Sequence, residues 1–252
     1  MMELFLGLVQ GITEFLPISS SGHLVVLSNI LNLENYGTDK ITFLHLGTLF
    51  SILIYFFNDL IGIIKKSSTF FKYLKLILVG IIPAGIVGLT LPIEKVIDSS
   101  QYILLITGVS YLFLSVLLNK TDLILEGQLK IEDLDLKKSF LIGIAQSIAL
   151  LPGISRSGIT IATGVFLKLK KNEAVFFSML MGIPTIFGAW LFTFVRNPIQ
   201  IGVESIGPFL VAFISGLVAI KILLQFTVNS KLKILSYYCF AFGIVSIVSY
   251  FI

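Results

Sequence analysis

Residues 13–23, Thr13-Glu14-Phe15-Leu16-Pro17-Ile18-Ser19-Ser20-Ser21-Gly22-His23, break an apolar segment that spans 4–31. A second apolar segment, 139–165, is broken by Pro152-Gly153-Ile154-Ser155-Arg156-Ser157-Gly158. A lipid-facing backbone cannot give up its helical hydrogen bonds, because hydrocarbon offers no replacement partners. Such breaks survive only where protein surrounds them or water enters. Both segments therefore read as re-entrant helical hairpins rather than simple crossings.

The composition calls for a membrane around them. Of the 252 residues 56% are hydrophobic and only 13% charged, and mean hydropathy is +1.00; soluble domains carry roughly 25% charged residues. A soluble all-helical protein of this length could not bury so much apolar surface. Unbroken apolar segments lie at 41–58, 73–92, 101–118, 174–195, 207–228 and 234–252, each at or beyond the ~18 residues that mark a span. The expectation is an all-α polytopic membrane protein: six transmembrane helices plus two re-entrant hairpins in one membrane domain. No basic start with a small-residue cleavage site precedes the first segment, so it is expected to be retained. Cys239, the only cysteine, sits in an apolar run and reads as a small buried hydrophobe.

Charge placement supports the hairpins. With the 59–72 loop cytoplasmic and each hairpin returning to the side it came from, 119–138, 166–173 and 229–233 also fall inside. Fourteen lysines then lie at or near the inner side. Lys40, Lys95 and Arg196 lie outside, with Glu34, Asp39, Glu94, Asp98 and Glu204. That is the positive-inside bias.

The two broken segments align at an offset of 136 residues: Leu6-Gly7-Leu8-Val9-Gln10 with Ile142-Gly143-Ile144-Ala145-Gln146, and Ile18-Ser19-Ser20-Ser21-Gly22 with Ile154-Ser155-Arg156-Ser157-Gly158. The chain divides into a first half, 1–118, and a second, 139–252, joined by the cytoplasmic loop 119–138. Three spans follow each hairpin, an odd number, so the second half is inverted and the two hairpin tips meet near the midplane. Transporters use this plan, so architecture alone fits transport as well as catalysis.

Residue chemistry narrows the choice. An ionisable side chain at membrane depth is costly and by default functional, and Glu14, His23 and Arg156 are expected to converge. Arg156 presents a fork of donors suited to phosphate. Ser19, Ser21, Gly22, Ser155, Ser157 and Gly158 supply hydroxyls and approachable N–H groups for an anion, or satisfy the broken backbone. Ser20 or His23 could attack phosphorus, or His23 could activate a nucleophile. Glu14 could orient the histidine, act as base, or hold a divalent cation. Gln10 and Gln146 read as structural or ligand-orienting, and His45 as a packing residue. No P-loop, zinc spacing or nucleic-acid motif appears.

At Gly7-Leu8-Val9-Gln10-Gly11-Ile12-Thr13-Glu14-Phe15-Leu16-Pro17-Ile18-Ser19-Ser20-Ser21-Gly22-His23 and Pro152-Gly153-Ile154-Ser155-Arg156-Ser157-Gly158 the sequence resembles the undecaprenyl-diphosphate phosphatase family, the bacitracin-resistance proteins of bacterial membranes. The resemblance implies hydrolysis of a polyprenyl diphosphate lipid to the monophosphate. It also implies a multi-pass place in the bacterial plasma membrane, with a site opening toward the extracytoplasmic face. It assigns catalysis to Glu14, Ser20, His23 and Arg156, with Mg2+ or Ca2+ as activator. A homodimer is one assembly open to such a chain. Where the family has Glu or Gln, three residues, then Glu, this chain has Gln10 and Glu14, leaving a single carboxylate. The rival reading is a transporter or flippase of a polyprenyl phosphate lipid.

Overall fold

A computed structural model describes residues 1–30, 38–90, 100–125, 127–196 and 202–252, without side chains at 38–41. Glu34, Glu94, Lys95, Asp98 and the side chains of Asp39 and Lys40 lie outside the described residues. In chain order the helices are α1 (Met2–Phe15), α2 (Ser20–Ile30), α3 (Thr38–Tyr55), α4 (Phe57–Lys65), α5 (Ser67–Thr90), α6 (Ile103–Leu123), α7 (Leu136–Ile148), α8 (Arg156–Phe166), α9 (Lys171–Arg196), α10 (Ile206–Val228) and α11 (Leu232–Phe251). No strand occurs among the described residues, and the all-α polytopic expectation holds. Helices α5, α6, α9, α10 and α11 are each long and apolar enough to cross a membrane, and α3 joins them when taken with α4. By contrast α1, α2, α7 and α8 have 14, 11, 13 and 11 residues, short of the ~20 a span requires.

The breaks have local causes. Pro17 pushes Leu16 into an extended conformation (ψ 138°) and ends α1. Ser19 then turns the chain in the left-handed region (φ 63°), and its Oγ accepts the Gly22 N–H at 3.3 Å to cap α2. The same device recurs 136 residues later, where Ser155 Oγ accepts the Gly158 N–H at 3.1 Å and caps α8. There Gly153 makes the turn at φ 90°, and a Cβ would drive into the Thr107 carbonyl of α6. Gly153→Ala is therefore expected to cost about 1–3 kcal/mol, read as a lower unfolding temperature in detergent; an unchanged temperature would mean that the turn relaxes freely.

Small residues let the first half of each break lie close against a span. Gly7 faces the Pro208 backbone, and Gly11 faces Ala212 and Ser215, so α1 runs alongside α10 from its beginning. Gly143 lies on Gly80 of α5, Ser139 donates to the Leu76 carbonyl at 2.6 Å, and Leu150 lies near Gly88, so α7 runs alongside α5 from its beginning. Helix α3 runs with α10, Gly47 at Phe209 and Ser51 at Phe213, and its far end leads through α4 to the start of α5, so the starts of α10 and α5 lie at opposite ends of the bundle. The two broken helices consequently enter it from opposite ends.

The four stretches placed on one side by charge gather at one end. Leu129 and Leu169 form a bridge, with Leu129 N–H donating to Lys168 O at 3.0 Å and Lys170 N–H to Leu129 O at 2.9 Å. Ile131 N–H donates to Glu173, Lys233 N–H to Asp122, and Lys171 Nζ to Ser230. Helix α5 meets 131–133 close to Tyr73. Asp135 caps α7, and the Lys138 ammonium and amide hold its carboxyl below the ordinary range. One expectation is corrected: 59–72 is not a plain loop. Phe57, Leu60, Ile61 and Ile64 recur at helical spacing and continue α3 as α4 after a bend of 66°.

Inside, Phe15, Tyr111, Leu114, Leu118, Phe177 and Met179 are fully buried, as is Cys239. Outside, α5 presents Phe71, Leu74, Leu78, Ile82, Ile86 and Leu89 on one exposed stripe, an arrangement suited to hydrocarbon rather than water.

Candidate active site

The two breaks meet at Glu14. The last turn of α1 places Gln10 one turn before it, and Gln10 Nε2 donates to Glu14 Oε2 at 3.0 Å. Ser20, the first residue of α2, folds back and donates its hydroxyl to the same oxygen at 2.8 Å. Arg156, the first residue of α8, donates from Nη2 to Glu14 Oε1 at 3.1 Å and from Nη1 to the Ser178 carbonyl of α9 at 3.3 Å. Thr160 braces this from α8, bonding both the Arg156 carbonyl and the Ser178 hydroxyl. Gly182 sits beneath the guanidinium, where a Cβ would collide with Nη1. A carboxylate with both oxygens occupied and a guanidinium pinned on two sides form a preorganised charge pair.

His23 does not join them. Its Nδ1 lies 2.7 Å from the Ser19 carbonyl, which can only accept, so Nδ1 carries the proton. Nε2 then accepts from the Tyr238 hydroxyl at 2.5 Å, and the Tyr111 hydroxyl lies 2.8 Å from Nδ1. The ring stacks on Phe242 with centroids 4.4 Å apart and meets Tyr111 edge-on. Glu14 and Arg156 are brought together, whereas helix α2 turns His23 toward Tyr111 of α6 and Tyr238 of α11. The histidine beside Glu14 is His45 of α3, with Nε2 at 3.6 Å from Oε2. In sequence His45 reads as a packing residue of an apolar helix, and the cost of any ionisable group at membrane depth is the signal that points to a polar partner.

The remaining serines serve the turns. Ser157 donates to the Phe15 carbonyl at 2.8 Å and pairs with Ser155 at 3.0 Å, which ties the second break directly to the end of α1. Ser19 pairs with Ser21 at 3.3 Å in the matching position of the first break. Ser19, Ser155 and Ser157 are buried, whereas Ser21 is exposed and Ser20 half-buried. Ser20 is therefore the hydroxyl that is both bonded to the carboxylate and open to approach. Gln146, in the place of Gln10, is buried with neither amide atom bonded. Ser178, Thr160 and Gly182 were invisible from sequence, because nothing local links α9 to the breaks.

The donor set is compatible with a hard cation. Gln10 turns its Nε2 to Glu14, which leaves Oε1 buried and without a hydrogen-bond partner. No group of three His, Cys, Asp or Glu side chains is gathered among the described residues. Glu14 and Gln10 thus offer oxygen ligands for part of a coordination sphere, as for magnesium that also takes phosphate oxygens from its substrate.

Helices and site together define a polytopic membrane protein whose buried carboxylate–guanidinium–hydroxyl cluster is assembled from two broken helices. The chain matches the family described as "Bacitracin resistance protein BacA" over residues 3–245 and belongs to it. It is 38% identical to the undecaprenyl-diphosphatase of Korarchaeum cryptofilum (strain OPF8), covering 96% of this chain and 95% of that one. It is 36% identical to the protein of that name in Methanococcus maripaludis (strain C5 / ATCC BAA-1333), over 95% and 96%. It is 38% identical to that of Thermosipho africanus (strain TCF52B), over 98% of each.

Proposed function

We propose that this protein hydrolyses undecaprenyl diphosphate to undecaprenyl phosphate and inorganic phosphate, returning the carrier lipid to wall-polymer synthesis and conferring bacitracin resistance. The observation that carries the residue roles is the Ser20 hydroxyl donating to Glu14 while Arg156 holds the other carboxylate oxygen. A nucleophile bonded to a base is the arrangement for covalent phosphoryl transfer. Ser20 Oγ attacks the terminal phosphorus and passes its proton to Glu14. The bond from phosphorus to the bridging oxygen breaks, and the proton follows the leaving lipid phosphate. Glu14 then takes a proton from water, which attacks the phosphoserine, and Ser20 recovers its hydrogen. Arg156 holds the charge on the transferred group.

Glu14 and Gln10 Oε1 would hold Mg2+ or Ca2+ together with diphosphate oxygens; a bound cation supplies neutralisation of the diphosphate charge. His23, clasped by Tyr111 and Tyr238, fixes the turn at Ser19 and hence the aim of Ser20. The hairpins' opposite directions of approach and the repeated Ser caps support the inverted-repeat reading. Positive-inside charge placement supports a cytoplasmic position for the lysine-rich end in a bacterial plasma membrane, with α1 and the mouth of its hairpin facing outward.

Phosphate release from purified undecaprenyl diphosphate by the detergent-solubilised protein tests the proposal, and absence of release would defeat it. Opposed hairpins also suit a flippase; transfer of labelled lipid across liposomes without phosphate release would establish that reading instead. In the release assay, His45→Ala is expected to lose about 10²-fold, the low end for a single positioned proton-transfer side chain; wild-type rates would place His45 outside the reaction. Gly182→Ala, whose methyl pushes the guanidinium aside, is expected to lose roughly 10- to 100-fold, since displacement of about 1 Å costs that much. Undiminished release would mean that Arg156 has room to move.

A further inference from the structure

Helix α4 has an outward face that the site does not use. Its nine residues divide into three sides. Leu60 and Ile63 pack on the core below the hinge at Phe56, which itself lies against Phe176. Phe57, Ile61 and Ile64 form a second apolar stripe, with Phe57 54% and Ile64 63% exposed. Asn58, Asp59, Gly62 and Lys65 occupy the third side and are all exposed, as is Lys66 just beyond the helix, and a Cβ at Gly62 would meet nothing within 4 Å. The bend of 66° turns α4 off the axis of α3. A helix with apolar residues on one side and charged ones on the other, set across the bundle axis, lies in the plane of a membrane interface.

Charge decides what covers it. Lys65 and Lys66 are joined across the elbow by Lys72 and Lys75 of α5, all four exposed and none paired with a carboxylate among the described residues. Asp59 is the only acidic residue in 57–76. Glu132 and Glu173 lie on the opposite side of α5, toward buried Tyr73. Phe71, 56% exposed, continues the apolar stripe between the lysines.

We infer that the α4–α5 elbow is a docking surface for anionic phospholipids of the inner leaflet, with Phe57, Ile61, Ile64 and Phe71 among the upper acyl carbons and Lys65, Lys66, Lys72 and Lys75 on the headgroup phosphates. Each lysine held at an anionic surface multiplies lipid affinity roughly fivefold. The test uses the full-length protein in nanodiscs of phosphatidylcholine doped with phosphatidylglycerol, extracted gently and weighed by native mass spectrometry. The wild type is expected to retain phosphatidylglycerol in preference to phosphatidylcholine. The variant Lys65→Gln/Lys66→Gln/Lys72→Gln/Lys75→Gln is expected to lose that preference by about tenfold or more, while Lys231→Gln/Lys233→Gln, at the same end of the bundle, keeps it. Equal retention by the fourfold variant and the wild type would overturn the inference. Spin labels give an independent reading, because Cys239 is buried and leaves an introduced thiol as the only reactive one. A label at Ile64→Cys should be relaxed by oxygen and one at Gly62→Cys by an aqueous nickel chelate; aqueous relaxation at Ile64→Cys would remove α4 from the membrane.

Discussion

Glu14→Gln is expected to lower phosphate release by about 10³-fold, within the range for loss of a general base. Among the described residues Glu14 is the one carboxylate at the meeting point, and it accepts from Gln10, Ser20 and Arg156 together. The amide keeps the shape but can neither take the Ser20 proton nor balance the guanidinium. Removing one partner of a buried ion pair costs about 3–5 kcal/mol, so the unfolding temperature must fall as well. Rates measured well below that temperature, on protein of wild-type helicity, separate the two effects. A folded Glu14→Gln variant with near-normal release would exclude Glu14 as base.

Arg156→Lys is expected to cost about 10²- to 10³-fold in kcat/KM, as for removal of a donor aimed at developing charge. The positive charge survives, so Glu14 stays compensated and the fold should persist. What is lost is the fork: Nη2 on Glu14 and Nη1 on the Ser178 carbonyl hold one plane between α1 and α9, and a single ammonium cannot reproduce it. If lysine supports the full rate, charge alone suffices and the geometry around Ser178, Thr160 and Gly182 has no catalytic purpose.

Both predictions rest on residues of the two motifs, and that part of the site was legible because its signals are local. Pro17 must end a helix, a glutamate cannot face lipid unpaired, and Gln10 lies one turn from Glu14. The histidines were different. His23 stands in the conspicuous motif, three residues beyond Ser20, yet the left-handed turn at Ser19 aims it at Tyr111 and Tyr238. His45 stands in an undistinguished apolar helix, and only the packing of α3 against α1 brings it to Glu14.

The sequence by itself determined that the chain lives in a membrane, that two segments break within it, and that one carboxylate and one guanidinium must find each other. Hydrocarbon imposes these demands on every residue one at a time, so no knowledge of neighbours is required. Which hydroxyl sits on the carboxylate, which histidine flanks it, and which residues of α9 brace the arginine were decided only by tertiary structure. Those contacts join residues on different helices, Ser20 and His45 to Glu14 and Ser178 to Arg156, and a helix face is chosen by packing, which periodicity alone does not reveal.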